Sequence, residues 1–161
     1  MASVNVTPAG PGGSEASAPG SDVAAQARPA APLHVFLVED SPIIRERLTE
    51  SLTAPGRIEV IGYADTEHGA VAALRDAAWD VLVLDLQLKQ GTGLGVLKAL
   101  AGARPDGAKI IVLTNYAIPQ FRDRSVALGA DYFFDKSREY YRVKTVLEDI
   151  AASRGSGGAR H

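Results

Sequence analysis

The sequence predicts an α/β domain, a (βα)5 doubly wound and mostly parallel sheet with helices on both faces. Three observations predict it. Four short, continuous apolar runs recur along the chain, Val35–Val38, Val81–Leu84, Ile110–Leu113 and Tyr132–Phe134, with a weaker fifth at Ile58–Tyr63. Each of the four lacks the polar alternation of a half-solvated strand, so both faces call for cover. Helix signals fill the gaps between the runs, and right-handed crossovers then leave few topologies.

The elements follow in order. After Val35–Val38 come Ser41 and Pro42, an N-cap with proline at the first helical position. Ile44, Leu48 and Leu52 then recur at spacing four, and Pro55-Gly56 ends that helix. After Ile58–Tyr63, Thr66 caps a helix with Val71 and Leu74 inward. After Val81–Leu84, the segment Thr92–Ala103 carries Leu94, Leu97 and Leu100 at spacing three. After Ile110–Leu113, Pro119 opens a fourth helix containing Phe121, Val126 and Leu128. After Tyr132–Phe134, Ser137 caps a last helix with Glu139 in its first turn. Val143, Val146, Leu147 and Ile150 form its buried stripe.

Length and composition bound the rest. The chain has 161 residues, room for one domain plus tails. Residues 1–32 are dominated by Ala, Gly, Pro and Ser and cannot bury enough surface to offset ordering entropy, so they read as a disordered leader. The leader has neither the basic start nor the apolar run of a secretory signal. The folded unit is expected over residues 33–152, with a Gly-rich flexible tail at 153–161. The absence of cysteine excludes disulfides, thiolate catalysis and cysteine-bound zinc, and His34, His68 and His161 are too scattered for a histidine metal site. The net charge of −2 gives no basic footprint for nucleic acid, and no apolar stretch is long enough for a membrane span.

Chemistry concentrates at the ends of the apolar runs. Glu39 and Asp40 follow the first, Asp85 follows Val81–Leu84, Thr114 follows Ile110–Leu113, and Asp135-Lys136 follow the last. In a parallel sheet these groups meet at the carboxyl edge, where such folds bind ligands. Carboxylates alone would repel each other, and a hard divalent cation such as Mg²⁺ relieves that. An ammonium and a hydroxyl beside the acids suit transfer of a phosphoryl group onto a carboxylate.

These residues resemble the receiver domain of two-component response regulators. The resemblance covers residues 33–152 and rests on four segments: Val35 to Pro42, Val81 to Leu86, Ile111 to Thr114, and Gly129 to Lys136. It implies a flavodoxin-like sheet in the order 2-1-3-4-5. It implies Asp85 as phosphoacceptor, with Thr114 and Lys136 contacting phosphoryl oxygens. It implies Mg²⁺ (or Mn²⁺) held by Asp40, Asp85 and the backbone carbonyl of Gln87, with Glu39 acting largely through water. Thr114 and Phe133 fall at the switch positions, and Gln87 and Tyr116 flank the phosphoryl group and influence its hydrolysis. Implied partners are a sensor histidine kinase or histidine phosphotransfer protein and a downstream protein target, with output by contact or onward relay in the cytoplasm and no turnover of an external substrate. The output face, and a homodimer through it, would involve the fourth helix, last strand and last helix, where Ile118, Phe121, Tyr140 and Tyr141 are candidates. Two residues depart from the family pattern: Glu39 where many members have Asp, and Ser137 where the lysine is usually followed by a cis proline. A trans bond is expected at Ser137, because a cis bond without proline costs about 2.5–4 kcal/mol.

Rival readings meet specific obstacles. An aspartate-nucleophile phosphatase of the haloacid dehalogenase type needs a second acid where Gln87 stands. A dinucleotide-binding turn needs glycines where Glu39-Asp40-Ser41-Pro42 stands, and acids there repel a pyrophosphate. A phosphate-independent interaction module with the same fold is the remaining alternative; a Mg²⁺-dependent beryllofluoride complex separates it from a working receiver.

Overall fold

The computed structural model describes residues 31–160. Five strands alternate with five helices: β1 (Leu33–Val38), α1 (Pro42–Leu52), β2 (Ile58–Ala64), α2 (Glu67–Asp76), β3 (Val81–Leu84), α3 (Gly93–Leu100), β4 (Lys109–Thr114), α4 (Pro119–Ala127), β5 (Tyr132–Asp135) and α5 (Tyr140–Arg160). The sheet is parallel in the order β2-β1-β3-β4-β5.

Each apolar run serves two cores at once, because successive side chains in a strand point to opposite faces. Val35 and Leu37 of β1, Val81 and Val83 of β3, Ile111 and Leu113 of β4, and Phe134 of β5 pack with Leu48 and Leu52 of α1 and Val143 and Leu147 of α5. Phe36, Val38, Leu82, Leu84, Ile110, Val112 and Phe133 take the other face, with Leu74 of α2 and Val96, Leu97 and Leu100 of α3. Thus α1 and α5 cover one side and α2 to α4 the other. Edge strand β2 is the exception: Glu59, Ile61 and Tyr63 are exposed, which is why its apolar run reads as weaker.

Ser41, Thr66 and Thr92 cap their helices, accepting from the amides of Ile44, Gly69 and Gly95 at 3.2, 3.0 and 3.0 Å. Several sequence expectations are corrected. The third helix stops at Leu100, not Ala103, and Gly102 follows in a left-handed conformation (φ 77°). Val126 faces solvent. The last helix starts at Tyr140, so Ser137 does not cap it and Glu139 is not in its first turn. Instead the Ser137 amide and hydroxyl both donate to Asp135 Oδ1, at 2.9 and 2.7 Å, while Glu139 Oε1 accepts from the Asp135 amide at 2.9 Å. That turn occupies both side chains before the helix begins. The helix also continues to Arg160, past the limit expected at Ala152, and Arg154 anchors it by pairing with Asp80 at 2.9 Å. Residues 153 and 154 therefore belong to α5 rather than to a tail. The proposed leader lies outside the described residues, apart from Ala31 and Pro32. Among the described residues no helix is long and apolar enough to cross a membrane.

Candidate functional site at the carboxyl edge of the sheet

Strand register brings the polar groups together. Val38 pairs with Leu84, so the residues that follow, Glu39-Asp40 and Asp85, emerge side by side. Thr114 pairs with Asp135, which places Lys136 beside Thr114, and the Lys136 amide donates to the Thr114 carbonyl at 2.8 Å. Glu39, Asp40 and Asp85 each offer a carboxylate oxygen, and these oxygens lie within 4.8 Å of one another. Lys136 Nζ sits 2.7 Å from Glu39 Oε1 and 2.7 Å from Asp85 Oδ2.

Burial gives this cluster its electrostatic character. Glu39 and Asp85 are only 3% and 7% exposed. Desolvation pushes the Glu39 carboxyl up from its ordinary range, against the opposing pull of Lys136. Burial alone would lower the Lys136 ammonium, but hydrogen bonds to Asp85 and Glu39 outweigh it and raise the pKa. A raised lysine pKa means the folded state holds this proton more tightly. The stabilisation is therefore complete below the ordinary lysine range and is lost as pH rises through the elevated value.

The remaining candidates line the same edge. Asp85 Oδ1 accepts from the Gln87 amide at 3.2 Å. Thr114 is fully buried, and its hydroxyl oxygen accepts from the Tyr116 amide at 3.2 Å, so its own O–H remains a donor. Gln87 and Tyr116 face a shared cavity of about 360 Å³ whose other walls include Leu86, Leu94 and Phe121. Phe133 points inward, 5% exposed, with the Arg122 guanidinium 4.8 Å from its ring centroid. Of the four surface candidates, Ile118 and Tyr141 are exposed, while Phe121 and Tyr140 pack partly against the two cores. The Lys136–Ser137 bond is trans.

Sequence reasoning missed two supporting residues. Arg45 Nη1 donates to the Glu39 carbonyl at 2.9 Å, and its guanidinium lies 4.0 Å over the Tyr63 ring, holding the loop between β1 and α1. Arg122 covers Phe133. Neither carries a local signal, since an arginine one turn into a helix usually reads as a solvated side chain.

The close approach of α3 to the loop after β3 depends on Gly93, the first residue of that helix. A Cβ there would overlap the Asp85 carbonyl oxygen and crowd Leu86 Cα, both backbone atoms that cannot swing away. Gly93→Ala is expected to cost about 1–3 kcal/mol, as overpacking does. It should also displace Asp85; urea unfolding and the amide shifts of Asp85 and Gln87 would both report it.

An open parallel sheet that ends in an acidic cluster braced by a lysine is the architecture of signal-receiving domains in two-component systems. The response regulator receiver domain model matches residues 35–148, and the chain belongs to that family. It is 29% identical over 120 residues to the DNA-binding transcriptional activator DevR/DosR of Mycobacterium tuberculosis, covering 74% of this chain and 55% of that protein. It is 33% identical over 135 residues to a protein-glutamate methylesterase/protein-glutamine glutaminase of Leptospira interrogans, covering 80% of this chain and 38% of that protein. The chain thus matches about half or less of the length of these relatives. Among solved structures, the receiver domain of the putative response regulator NarL from Mycobacterium tuberculosis superposes with a TM-score of 0.67 at 21% identity, over 76% of this chain and 98% of that one. The receiver domain of sensor histidine kinase PA1611 from Pseudomonas aeruginosa, with magnesium in its active-site cleft, superposes with a TM-score of 0.62 at 19% identity, over 76% and 99%. At such identities these two structures bear on the fold.

Proposed function

We propose that the chain accepts a phosphoryl group on Asp85 from the phosphohistidine of a sensor histidine kinase or histidine phosphotransfer protein, in the cytoplasm. The observation that carries this reading is the geometry of Lys136, which is 2.7 Å from both Glu39 and Asp85, with Asp40 in the same cluster. Three oxygen donors this close, two of them buried, fit a hard divalent cation, and Asp40, Asp85 and the Gln87 carbonyl would hold Mg²⁺ or Mn²⁺. When bound, the cation would supply positive charge to the oxygens of the transferring group.

The chain's own residues do the rest. An Asp85 carboxylate oxygen forms the new bond to phosphorus as the phosphorus–nitrogen bond of the donor breaks. The electron pair of that bond leaves on the imidazole nitrogen. Lys136 is anchored by Glu39, so it stays in place when Asp85 oxygen is taken up by phosphorus, and it offers its protons to a phosphoryl oxygen. Glu39 thus acts as the lysine's holder, and its carboxylate also accepts from the Ser41 amide at 3.1 Å. Thr114 donates its hydroxyl to another oxygen. The added charge and acceptors then bias the loop after β4, with Phe133 beneath it, and alter the face formed by α4, β5 and α5. Output follows by protein contact or by passing the phosphoryl group on. Gln87 and Tyr116, flanking the group, set how readily water reaches it.

Beryllofluoride mimics the acyl phosphate and tests the site without a kinase. Binding is expected only with Mg²⁺ or Mn²⁺ present, with amide shifts at Thr114 and Phe133. Asp40→Ala should abolish the cation requirement and cut phosphoryl uptake from acetyl phosphate by roughly a hundredfold. Cation-independent uptake by the unmodified chain would contradict the proposal.

A further inference from the structure

We propose that Glu67 is a positioning residue for the cation site, acting through the loop between β3 and α3; this rests on the phosphoacceptor reading of that site. The loop spans residues 86–92 and carries Gln87, whose amide donates to Asp85 and whose carbonyl the reading assigns to the cation. Gln87 faces Thr92 in an antiparallel bridge, and the Gly93 amide donates across it to the Leu86 carbonyl at 2.8 Å, which couples the two ends of the loop.

The turn between β2 and α2 grips this loop at Lys89, Gln90 and Thr92. Glu67, the first residue of α2, places Oε1 2.9 Å from the Thr92 amide, and its own amide donates to the Gln90 carbonyl at 2.9 Å. Lys89 is tied to Asp65 twice: its amide donates to the Asp65 carbonyl at 3.2 Å, and its ammonium donates to Asp65 Oδ2 at 3.0 Å. The seat for the Glu67 carboxylate is cut by two glycines. A Cβ on Gly91 or on Gly95 would overlap that side chain.

The physical consequence is a lever. Thr92 is the N-cap of α3, and its side chain already serves the Gly95 amide. Its own amide points away from the helix and has its acceptor in Glu67. Without that acceptor the Thr92 end of the bridge loosens, and Gln87 loosens with it. The exposed Asp65–Lys89 ion pair is weak alone and cannot substitute. Glu67 is not among the acids that gather around Asp85, so it would act only by holding the loop.

The test uses the full chain, Mn²⁺ as the probe, and three variants: Glu67→Ala, Glu67→Gln and Gly95→Ala. Mn²⁺ affinity is measured by calorimetric titration, and exchange of the Thr92 amide is followed by NMR in metal-free protein. Glu67→Ala is expected to weaken Mn²⁺ binding by about tenfold, as loss of a group supporting a ligand does. Thr92 exchange should quicken. Glu67→Gln keeps an oxygen acceptor and should restore both within about twofold. Gly95→Ala displaces the Glu67 carboxylate while raising helix propensity, so it should weaken Mn²⁺ binding without lowering thermal stability. That pairing separates loop positioning from general destabilisation. If the unmodified chain binds Mn²⁺ and both alanine variants bind it equally well, Glu67 has no positioning role and the phosphoacceptor reading stands. If Glu67→Gln is as weak as Glu67→Ala, the effect is one of charge and the hydrogen-bonded lever is wrong. Failure of the unmodified chain to bind Mn²⁺ overturns the site reading and this inference with it.

Discussion

Asp85→Asn is expected to end phosphoryl uptake while leaving the protein folded. With a radiolabelled small-molecule donor or a phosphorylated kinase, incorporation should fall by roughly a thousandfold or more, the scale on which loss of an essential nucleophile registers. A carboxamide oxygen carries no full negative charge and cannot form a stable acyl phosphate. It does still accept a hydrogen bond. Lys136 therefore keeps a partner at the position of Asp85 Oδ2 and keeps Glu39 at 2.7 Å. One of the charges that pushes the Glu39 carboxyl upward is also removed, since Asp85 repels it. Thermal unfolding should thus show no loss of stability. Phosphoryl incorporation at the normal rate would mean that another side chain is the acceptor.

Lys136→Met differs from Asp85→Asn in its effect on stability. It should cost stability outright, by about 3–5 kcal/mol, because two buried carboxylates lose the cation that compensates them. The side chains of Lys136, Glu39 and Asp85 are 9%, 4% and 8% exposed, so water can replace little of what the ammonium supplies. Methionine fills much of the same volume, which separates loss of charge from loss of packing. A divalent cation should partly substitute for the ammonium. Saturating Mg²⁺ is expected to raise the urea midpoint of Lys136→Met more than that of the unmodified chain, since a site stripped of its internal positive charge binds a cation more tightly. A loss below about 1 kcal/mol, or equal Mg²⁺ effects in the two proteins, would show that the acids are not held together by Lys136.

Much of the fold was legible because burial imprints itself locally. Val81–Leu84 is continuous and apolar because β3 is covered on both faces, and its limits in the structure are those read from the sequence. Ser41 and Thr66 announced their helices because a hydroxyl before an apolar stripe has a definite role in satisfying free amides. Ser137 looked equally suited, and it failed as a cap because Asp135, two residues earlier, offered its amide and hydroxyl a nearer acceptor. Val126 sits among residues with a helical spacing, yet α4 packs by Ser125 and partly by Phe121, so the valine is left outside.

The candidate site divides along the same line. Asp85, Thr114 and Lys136 could be picked out because each stands at or just past the end of a strand, and parallel strands end together. The tie between Glu39 and Lys136 could not, because these residues are far apart in the chain and meet only through the register of several strands. Glu67 reaching the Thr92 amide was equally hidden, since that contact joins separate loops, and Arg45 reaching back to the Glu39 carbonyl depends on how α1 turns off β1. By itself the sequence determined most of the buried positions, where the strands end to within a residue and which polar groups stand at those ends, because hydrophobic periodicity is a property of neighbouring residues. The tertiary structure decided which of those groups pair, which arginine or glutamate braces which loop, and where the last helix begins. Those outcomes depend on distances between elements, and such distances exist only once the two cores have packed the strands into a single register.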